Sequence, residues 1–224
     1  MTVSKFDKIL PWTGGVAGLL WALWLIIGKT PDHPAAPGAV ALVEHAAGRN
    51  YIGGFALLAG SLMLLFFAAQ ARKSVRSGEA GESTYSTVAH GGFVMAAVGF
   101  GLLGIIQIAL VNTAKAHDPA ATDAIGQLAL IGWLPALVGL VAGCWGLGLG
   151  GLRTATLPKW FAVTTVVFGV IGVLGPAAFI VYLLLPLWLI AASVITARRA
   201  RIAPSRLSSP ARPDNQSQLT PQQP

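Results

Sequence analysis

The sequence predicts an all-α membrane protein: a polytopic helical bundle of six transmembrane helices with both chain termini in the cytoplasm. Three observations carry this prediction: the composition, the length of the charge-free apolar segments, and the distribution of basic residues. Of the 224 residues, 54% are hydrophobic and only 10% are charged, whereas a soluble domain carries roughly 25% charged residues. This composition excludes an ordinary soluble globular protein, a disordered protein and a coiled coil.

The apolar segments are long enough to cross a bilayer, which takes about 20 residues of helix. The last segment, from Trp160 to Ala197, carries no charge and as one helix would be about 57 Å long, nearly twice the hydrocarbon thickness. Gly175 and Pro176 near its middle predict a tight hairpin, because glycine ends helices and proline begins them. We therefore place six spans, which together form a transmembrane domain of residues 9–197, at residues 9–28, 51–71, 88–111, 125–151, 158–174 and 176–197.

The basic residues fall mainly on one side of the membrane in this arrangement. With residues 1–8 in the cytoplasm, only Lys29, Arg49 and Lys115 of the 15 lysines and arginines lie outside. This is the bias expected of cytoplasmic segments, and a five-span chain would instead expose the Arg198–Arg201 cluster. The first span is longer than the apolar core of a signal peptide, so we read it as an uncleaved anchor in the cell (plasma or inner) membrane.

Two polar segments are expected on the cytoplasmic side. The loop at residues 72–87 is short, and we expect Glu79 to be a solvated charge and Ser86 to be accessible. Residues 198–224 are rich in proline, serine, glutamine and arginine. They lack the apolar content that offsets ordering entropy, which predicts a disordered basic tail. Its arginines can lie against anionic lipid headgroups, and binding of a partner protein is the alternative.

Small residues indicate helix-packing faces. Gly14 and Gly18 in the first span, and Gly139 and Gly143 in the fourth, form the GxxxG spacing that lets helix backbones approach closely in lipid. The pairs predict either packing within one bundle or homodimerisation. We favour packing within the bundle, because 27 glycines make this spacing easy to obtain by chance.

Three residues inside the spans mark a candidate ligand pocket. Pro135 and Pro186 each remove a backbone hydrogen bond and are expected to kink the fourth and sixth spans. A kink can line a ligand cavity or be a tolerated packing feature. Gln107 in the third span can contact a ligand, although a hydrogen bond between helices is the default expectation.

Four residues on the outer side form a candidate polar site, since histidine and carboxylate side chains can bind zinc or another divalent ion. Neighbouring side chains diverge on a helix, which argues against a metal site here. Asp118, which Pro119 follows, is expected to cap the helix that leads into the fourth span. The four residues are Glu44, His45, His117 and Asp118.

The function classes are limited mainly by what the sequence lacks. No ionisable residue lies deep inside a predicted span, which argues against a proton relay or ion path. No nucleotide-binding loop, hydrolase elbow or Cys-His pair is recognisable, and Cys144 is the only cysteine. The basic residues flank apolar segments, so they indicate membrane topology and no nucleic-acid partner.

We therefore expect no cofactor and no catalytic activity. The favoured function is an accessory or interaction subunit of the cell membrane, which contacts the lipid bilayer and another membrane protein or a second copy of itself. One alternative is binding or transport of a lipid or other apolar small molecule within the bundle. A lesser alternative is a metal or redox site at the outer face.

The second half of the chain resembles a recurrent type of bacterial six-helix integral membrane protein of uncharacterised function. The resemblance rests on a basic link, Leu157-Pro158-Lys159-Trp160, before an apolar hairpin that ends in Leu185-Pro186-Leu187-Trp188. That family has a Leu-Pro-Arg-Trp turn before its fifth helix, and Lys159 replaces the arginine. The resemblance implies a fold and a location but no catalytic residues. In this link we expect Thr156 to cap the fifth helix.

Overall fold

The computed structural model describes residues 9–36, 38–79, 81 and 83–202. In this part of the chain the regular structure is entirely helical, as predicted. The predicted N-terminal segment 1–8 and all but the first few residues of the tail 198–224 lie outside the described residues. The helices are α1 Thr13–Ile27, α2 Ala39–His45, α3 Ala47–Arg76, α4 Thr84–Lys115, α5 Pro119–Ile131, α6 Leu134–Thr154, α7 Lys159–Ile171 and α8 Ala178–Ile202.

Five helical segments of the described chain are long and apolar enough to cross a membrane, which indicates a multi-pass membrane protein. The predicted fifth span is shorter: α7 has 13 residues, or about 20 Å of helix. The five long segments are Leu10–Ile27, Ala47–Arg76, Thr84–Lys115, Pro119–Thr154 and Gly175–Arg199.

The predicted fourth span is broken into α5 and α6 at Gly132 and Trp133. Pro135 lies in the first turn of α6, where a missing N–H interrupts no bond of that helix. It cannot donate to the carbonyl of Ile131, the last residue of α5, so the proline ends α5 instead of kinking one continuous helix. The indole N–H of Trp133 donates to the Leu130 carbonyl at 2.8 Å and so satisfies one freed acceptor.

The hairpin at Gly175 and Pro176 is present as predicted. Gly175 has φ +56°, a left-handed conformation that glycine adopts without steric cost. Pro176 lies in a short 3-10 turn that leads into α8. The arms α7 and α8 are joined by a hydrogen bond from the Trp188 indole to the Thr165 hydroxyl, 3.2 Å long.

The helices form a ring in the order α8, α1, α3, α4, α6 and α7. Most neighbours pack closely through small residues, whereas α7 and α8 approach each other less closely and meet through side chains. The interior is filled by aromatic side chains from α1, α3, α4, α7 and α8, together with Trp133 just before α6. The short helix α2 and the piece α5 cover one end of it, next to the last turns of α4.

The two ends of the ring differ in character. We call one the loop end, where the segment after α1 meets the start of α3 and the end of α4. The other, the basic end, brings together the end of α3, the start of α4, the link between α6 and α7, and the end of α8.

Candidate functional site at the loop end

Asn50 ties the segment after α1 to the bundle. Its amide nitrogen donates to the Lys29 carbonyl at 2.9 Å, and its amide oxygen accepts the Lys29 N–H at 2.8 Å. Asparagine is a common N-cap residue. Helix α3 begins earlier, at Ala47, so Asn50 lies fully buried within its first turns instead of capping it. The side chain therefore satisfies both backbone groups of Lys29 and holds the segment after α1 against α3.

Gln107 is fully buried in α4, close to the loop end. Its amide oxygen accepts a long hydrogen bond of 3.4 Å from the Thr30 hydroxyl, so it is joined to the loop after α1 and not to another membrane-spanning helix. Within the described residues, its amide nitrogen has no hydrogen-bond partner. Gln107 is thus a polar group under the loop, with bonding capacity left over.

The predicted outer polar site is only partly assembled. The His117 Nδ1 and Glu44 Oε2 atoms lie 3.8 Å apart, with the two side chains 72% and 44% exposed. A pair this solvated contributes little to stability. Asp118 caps α5 as predicted, because its carboxylate accepts the Ala121 N–H at 3.0 Å. His45 lies exposed in the last turn of α2.

A second cluster at this end was not identified from the sequence. The Tyr51 hydroxyl donates to the Asn112 side-chain oxygen, and the Lys115 ammonium lies 5.0 Å from the centre of the Tyr51 ring. This cluster joins α3 to α4 across 61 positions of sequence. No local pattern reports a contact of that range, so sequence reasoning had no signal for it.

The chemistry available at the loop end is therefore modest. Among the residues that the structure describes, no group of three or more His, Cys, Asp or Glu residues could hold a metal ion. Glu44 and His117 alone supply two of the three or four protein ligands that a zinc site needs.

The two candidate prolines have different structural roles: Pro135 lies in the first turn of α6, and Pro186 lies inside α8. Pro186 is buried within α8 and cannot donate to the carbonyl of Tyr182, four residues earlier. The Trp21 indole of α1 donates to that carbonyl instead, at 3.4 Å. The proline is therefore accommodated by a contact between helices, as is common in membrane bundles.

A small cavity lies between α1, α3, α4 and α8. Its volume is about 10 Å³, about the space that one water molecule needs, and its wall is apolar. None of Gln107, Pro135 and Pro186 lines it, and it is too small for a lipid. Its lining is Ala17, Trp21, Ala56, Leu57, Gly60, Leu64, Phe100 and Leu189.

The four glycines of the predicted packing faces contact other helices of the same chain. Gly14 and Gly18 of α1 face Ser193 and Pro186 of α8, and Gly14 also faces Phe67 of α3. Gly139 and Gly143 of α6 face α4, where Gly139 meets the backbone of Ala96 and Gly143 meets the ring of Phe93.

At the basic end, Glu79 and Ser86 differ from expectation. The Glu79 carboxylate accepts the backbone N–H groups of Tyr85 and Ser86 and the Ser86 hydroxyl. Ser86 is fully buried, so it is not an accessible serine. Partial burial alone would raise the pKa of Glu79, but the Ser86 hydroxyl, the two backbone N–H groups and the charge of Arg76 outweigh it and hold the pKa below 4.5. No local pattern predicts this contact, because Glu79 lies four residues before Ser83, the N-cap position of α4.

The α6–α7 link also differs from expectation. Helix α7 begins after Pro158 without a side-chain cap, and the Thr156 hydroxyl lies 2.8 Å from that of Thr154 instead. The Thr154 hydroxyl itself donates to the Gly150 carbonyl at 2.7 Å. Thr156 therefore bonds the last residue of α6 instead of capping α7. Ala155, directly after α6, has a left-handed backbone conformation.

Comparison with known proteins gives no assignment: no protein-family profile, curated protein or solved structure matches this chain.

Proposed function

We propose that the chain crosses the membrane six times, with α7 and its turn as the fifth span. The supporting observation is that an Arg199 N–H group near the end of α8 donates to the Ala155 carbonyl in the link before α7, at 3.0 Å. Since α8 is long enough to cross a bilayer and returns to the level at which α7 starts, α7 and the turn together must cover the same depth.

Both chain termini then lie on one side. Gly14 at the start of α1 faces Ser193 near the end of α8, so these two helices run antiparallel with those ends together. Arg72, Arg76, Arg153 and Lys159 lie at this same basic end. The positive-inside rule assigns such an end to the cytoplasm, which is the basis for proposing the cell membrane as the location.

Site-directed labelling tests this topology. In a Cys144→Ala background, we expect Ser77→Cys and Ser209→Cys to react with a membrane-impermeant thiol reagent from the cytoplasmic side only. Ala116→Cys at the loop end should react from the opposite side only. If Ser209→Cys and Ala116→Cys were instead labelled from the same side, the chain would have an odd number of spans.

Within this topology we propose that the protein is a non-enzymatic accessory subunit that contacts a second membrane protein. The observation that carries the proposal is that three polar side chains at the ends of the bundle, Asn50, Asp118 and Glu79, each bond backbone groups of the chain itself. The GxxxG glycines are also used within the bundle, so their faces are not left for a second copy. This leaves the basic tail as the segment for a partner.

Affinity purification from native membranes tests the subunit proposal. We expect the full chain to retain a specific membrane protein that is lost when the chain is cut after Ala200. A matched full-length variant with Arg206 and Arg212 changed to glutamine would separate a charge effect from loss of the segment. Equal recovery of every protein with the full and the shortened chain would contradict the proposal.

Binding of a lipid or other apolar molecule inside the bundle is the second candidate, and the cavity of about 10 Å³ does not favour it. A metal or redox site at the loop end remains the lesser one, with only Glu44 and His117 paired. We also propose kinship with the six-helix proteins that carry a Leu-Pro-Arg-Trp turn, on the strength of the link at residues 157–160.

A further inference from the structure

Two arginines from different helices are associated with the link between α6 and α7: Arg153 lies two residues before Ala155, and Arg199 contacts it. Arg153 in the last turn of α6 donates to the Tyr85 hydroxyl at 3.1 Å, and its guanidinium carbon lies 5.6 Å from the centre of the Tyr85 ring. Arg199 of α8 donates to the Ala155 carbonyl at 3.0 Å. Both side chains are exposed, yet each is oriented by a contact with the protein.

Neither arginine is neutralised within the described part of the chain. No described carboxylate lies within ion-pair distance of Arg153 or Arg199, and Glu79, the acidic residue described at this end, bonds Tyr85 and Ser86. A guanidinium carries five N–H donors in a planar fork, so one bond to the protein leaves most of the fork free. Lys159 adds a third exposed cation at the start of α7.

The surroundings place these cations at the depth of lipid headgroups. Trp160 follows Lys159 and is 65% exposed. Exposed tryptophan next to a basic residue at a helix end is typical of the boundary between hydrocarbon and headgroups. At that depth the abundant anion is the lipid phosphate, and guanidinium forks bind phosphate oxygens through paired hydrogen bonds.

We propose that Arg153, which precedes the α6–α7 link, and Arg199, which contacts it, form a binding site for the phosphate of an anionic phospholipid. The site rests on the proposed placement of the basic end at a membrane surface. Orientation of two arginines by Tyr85 and Ala155 distinguishes it from the general attraction between basic residues and an anionic bilayer, because oriented side chains lose less conformational entropy on binding.

The test compares two double variants with the same loss of charge at the same end. Arg153→Gln with Arg199→Gln removes the proposed site. Arg72→Gln with Arg198→Gln removes two exposed arginines whose side chains make no hydrogen bond or ion pair within the described residues. Binding of phosphatidylglycerol to the purified full chain in detergent is measured by native mass spectrometry, with phosphatidylcholine as the neutral lipid, and thermal unfolding shows that each variant is folded.

We expect the first double variant to bind phosphatidylglycerol about tenfold more weakly and the second to change by less than about twofold. If the Arg153 variant unfolds, the single variants Arg199→Gln and Arg198→Gln, one residue apart, are compared instead. Equal losses in both double variants, no loss in either, or displacement of the lipid by inorganic phosphate alone would overturn the proposal. Lipid binding in detergent does not depend on which side of the membrane the basic end faces. A failure to bind lipid can therefore be distinguished from a failure of the labelling experiment.

Discussion

At the scale of single residues, the close packing of this bundle depends on which glycines face a neighbouring backbone. A Cβ atom at Gly92 of α4 would overlap the backbone of Gly143 in α6. Its neighbour Gly91 has open space where a Cβ would stand. The same residue type is therefore structural at one position and replaceable at the next, and only the facing helix decides which.

We predict that Gly92→Ala lowers the free energy of unfolding by about 1–3 kcal/mol, because α4 and α6 must separate to admit the methyl group. Gly91→Ala is the matched control and should be neutral or slightly stabilising, since alanine favours the helix by up to about 1 kcal/mol. Thermal or denaturant unfolding in one detergent measures both. Equal effects of the two changes on stability would show that contact with α6 does not distinguish these positions.

At the scale of elements, Glu79 links the end of α3 to the start of α4. Three hydrogen bonds converge on its carboxylate, two of them from backbone N–H groups that the first turn of α4 would otherwise leave unpaired. A carboxylate at a helix N-terminus also meets the favourable end of the helix dipole. The loop after α3 is therefore anchored at this residue and is not merely a solvated connection.

We predict that Glu79→Ala lowers the free energy of unfolding by about 1 kcal/mol at neutral pH. The folded-state pKa of Glu79 lies below 4.5, so its charged form stabilises the fold above that pH. The contribution is lost as the pH falls from 4.5 through the lower folded-state pKa. Unfolding midpoints of the wild type and the variant should therefore converge on acidification.

Asp32→Ala supplies the control for this pH series. Asp32 is exposed in the loop after α1 and makes no hydrogen bond within the described residues, so its removal should leave the midpoint nearly unchanged. A difference between wild type and Glu79→Ala that stays constant down to strongly acidic pH would show that the carboxylate charge is not what stabilises α4.

At the scale of the whole molecule, the ring of helices is closed at its least closely packed junction by aromatic side chains. Trp188 of α8 stacks with Phe161 and Phe168 of α7, at ring distances of 6.2 and 6.0 Å. It also contacts Phe93 of α4 and Phe67 of α3. One buried side chain thus joins α8 to three other helices.

We predict that Trp188→Ala costs about 3–5 kcal/mol of stability, because it opens a cavity where these helices meet. Trp160→Ala removes the same side chain from an exposed position and should change stability by less than about 1 kcal/mol. Chemical denaturation in mixed micelles compares the two. A similar cost for both would mean that Trp188 does not close the ring.

Local features of the chain were sufficient to predict the class of protein, the apolar segments, the hairpin at Gly175 and Pro176, and the cap at Asp118. These features depend on composition, on segment length against bilayer thickness, and on residues next to one another in the chain. Where the sequence predicted a kink at Pro135, the structure has a break between α5 and α6 at Gly132 and Trp133, because a proline ends one helix as readily as it kinks one.

Packing in three dimensions set the order of the ring, the partners of Asn50 and Glu79, and the bond from Trp21 to the Tyr182 carbonyl, which joins residues 161 positions apart. A helix that is apolar on every side carries no stripe to show which face meets protein and which meets lipid. Association in lipid is driven by close contact between surfaces and not by the exclusion of water, so the fit between distant residues selected the neighbours.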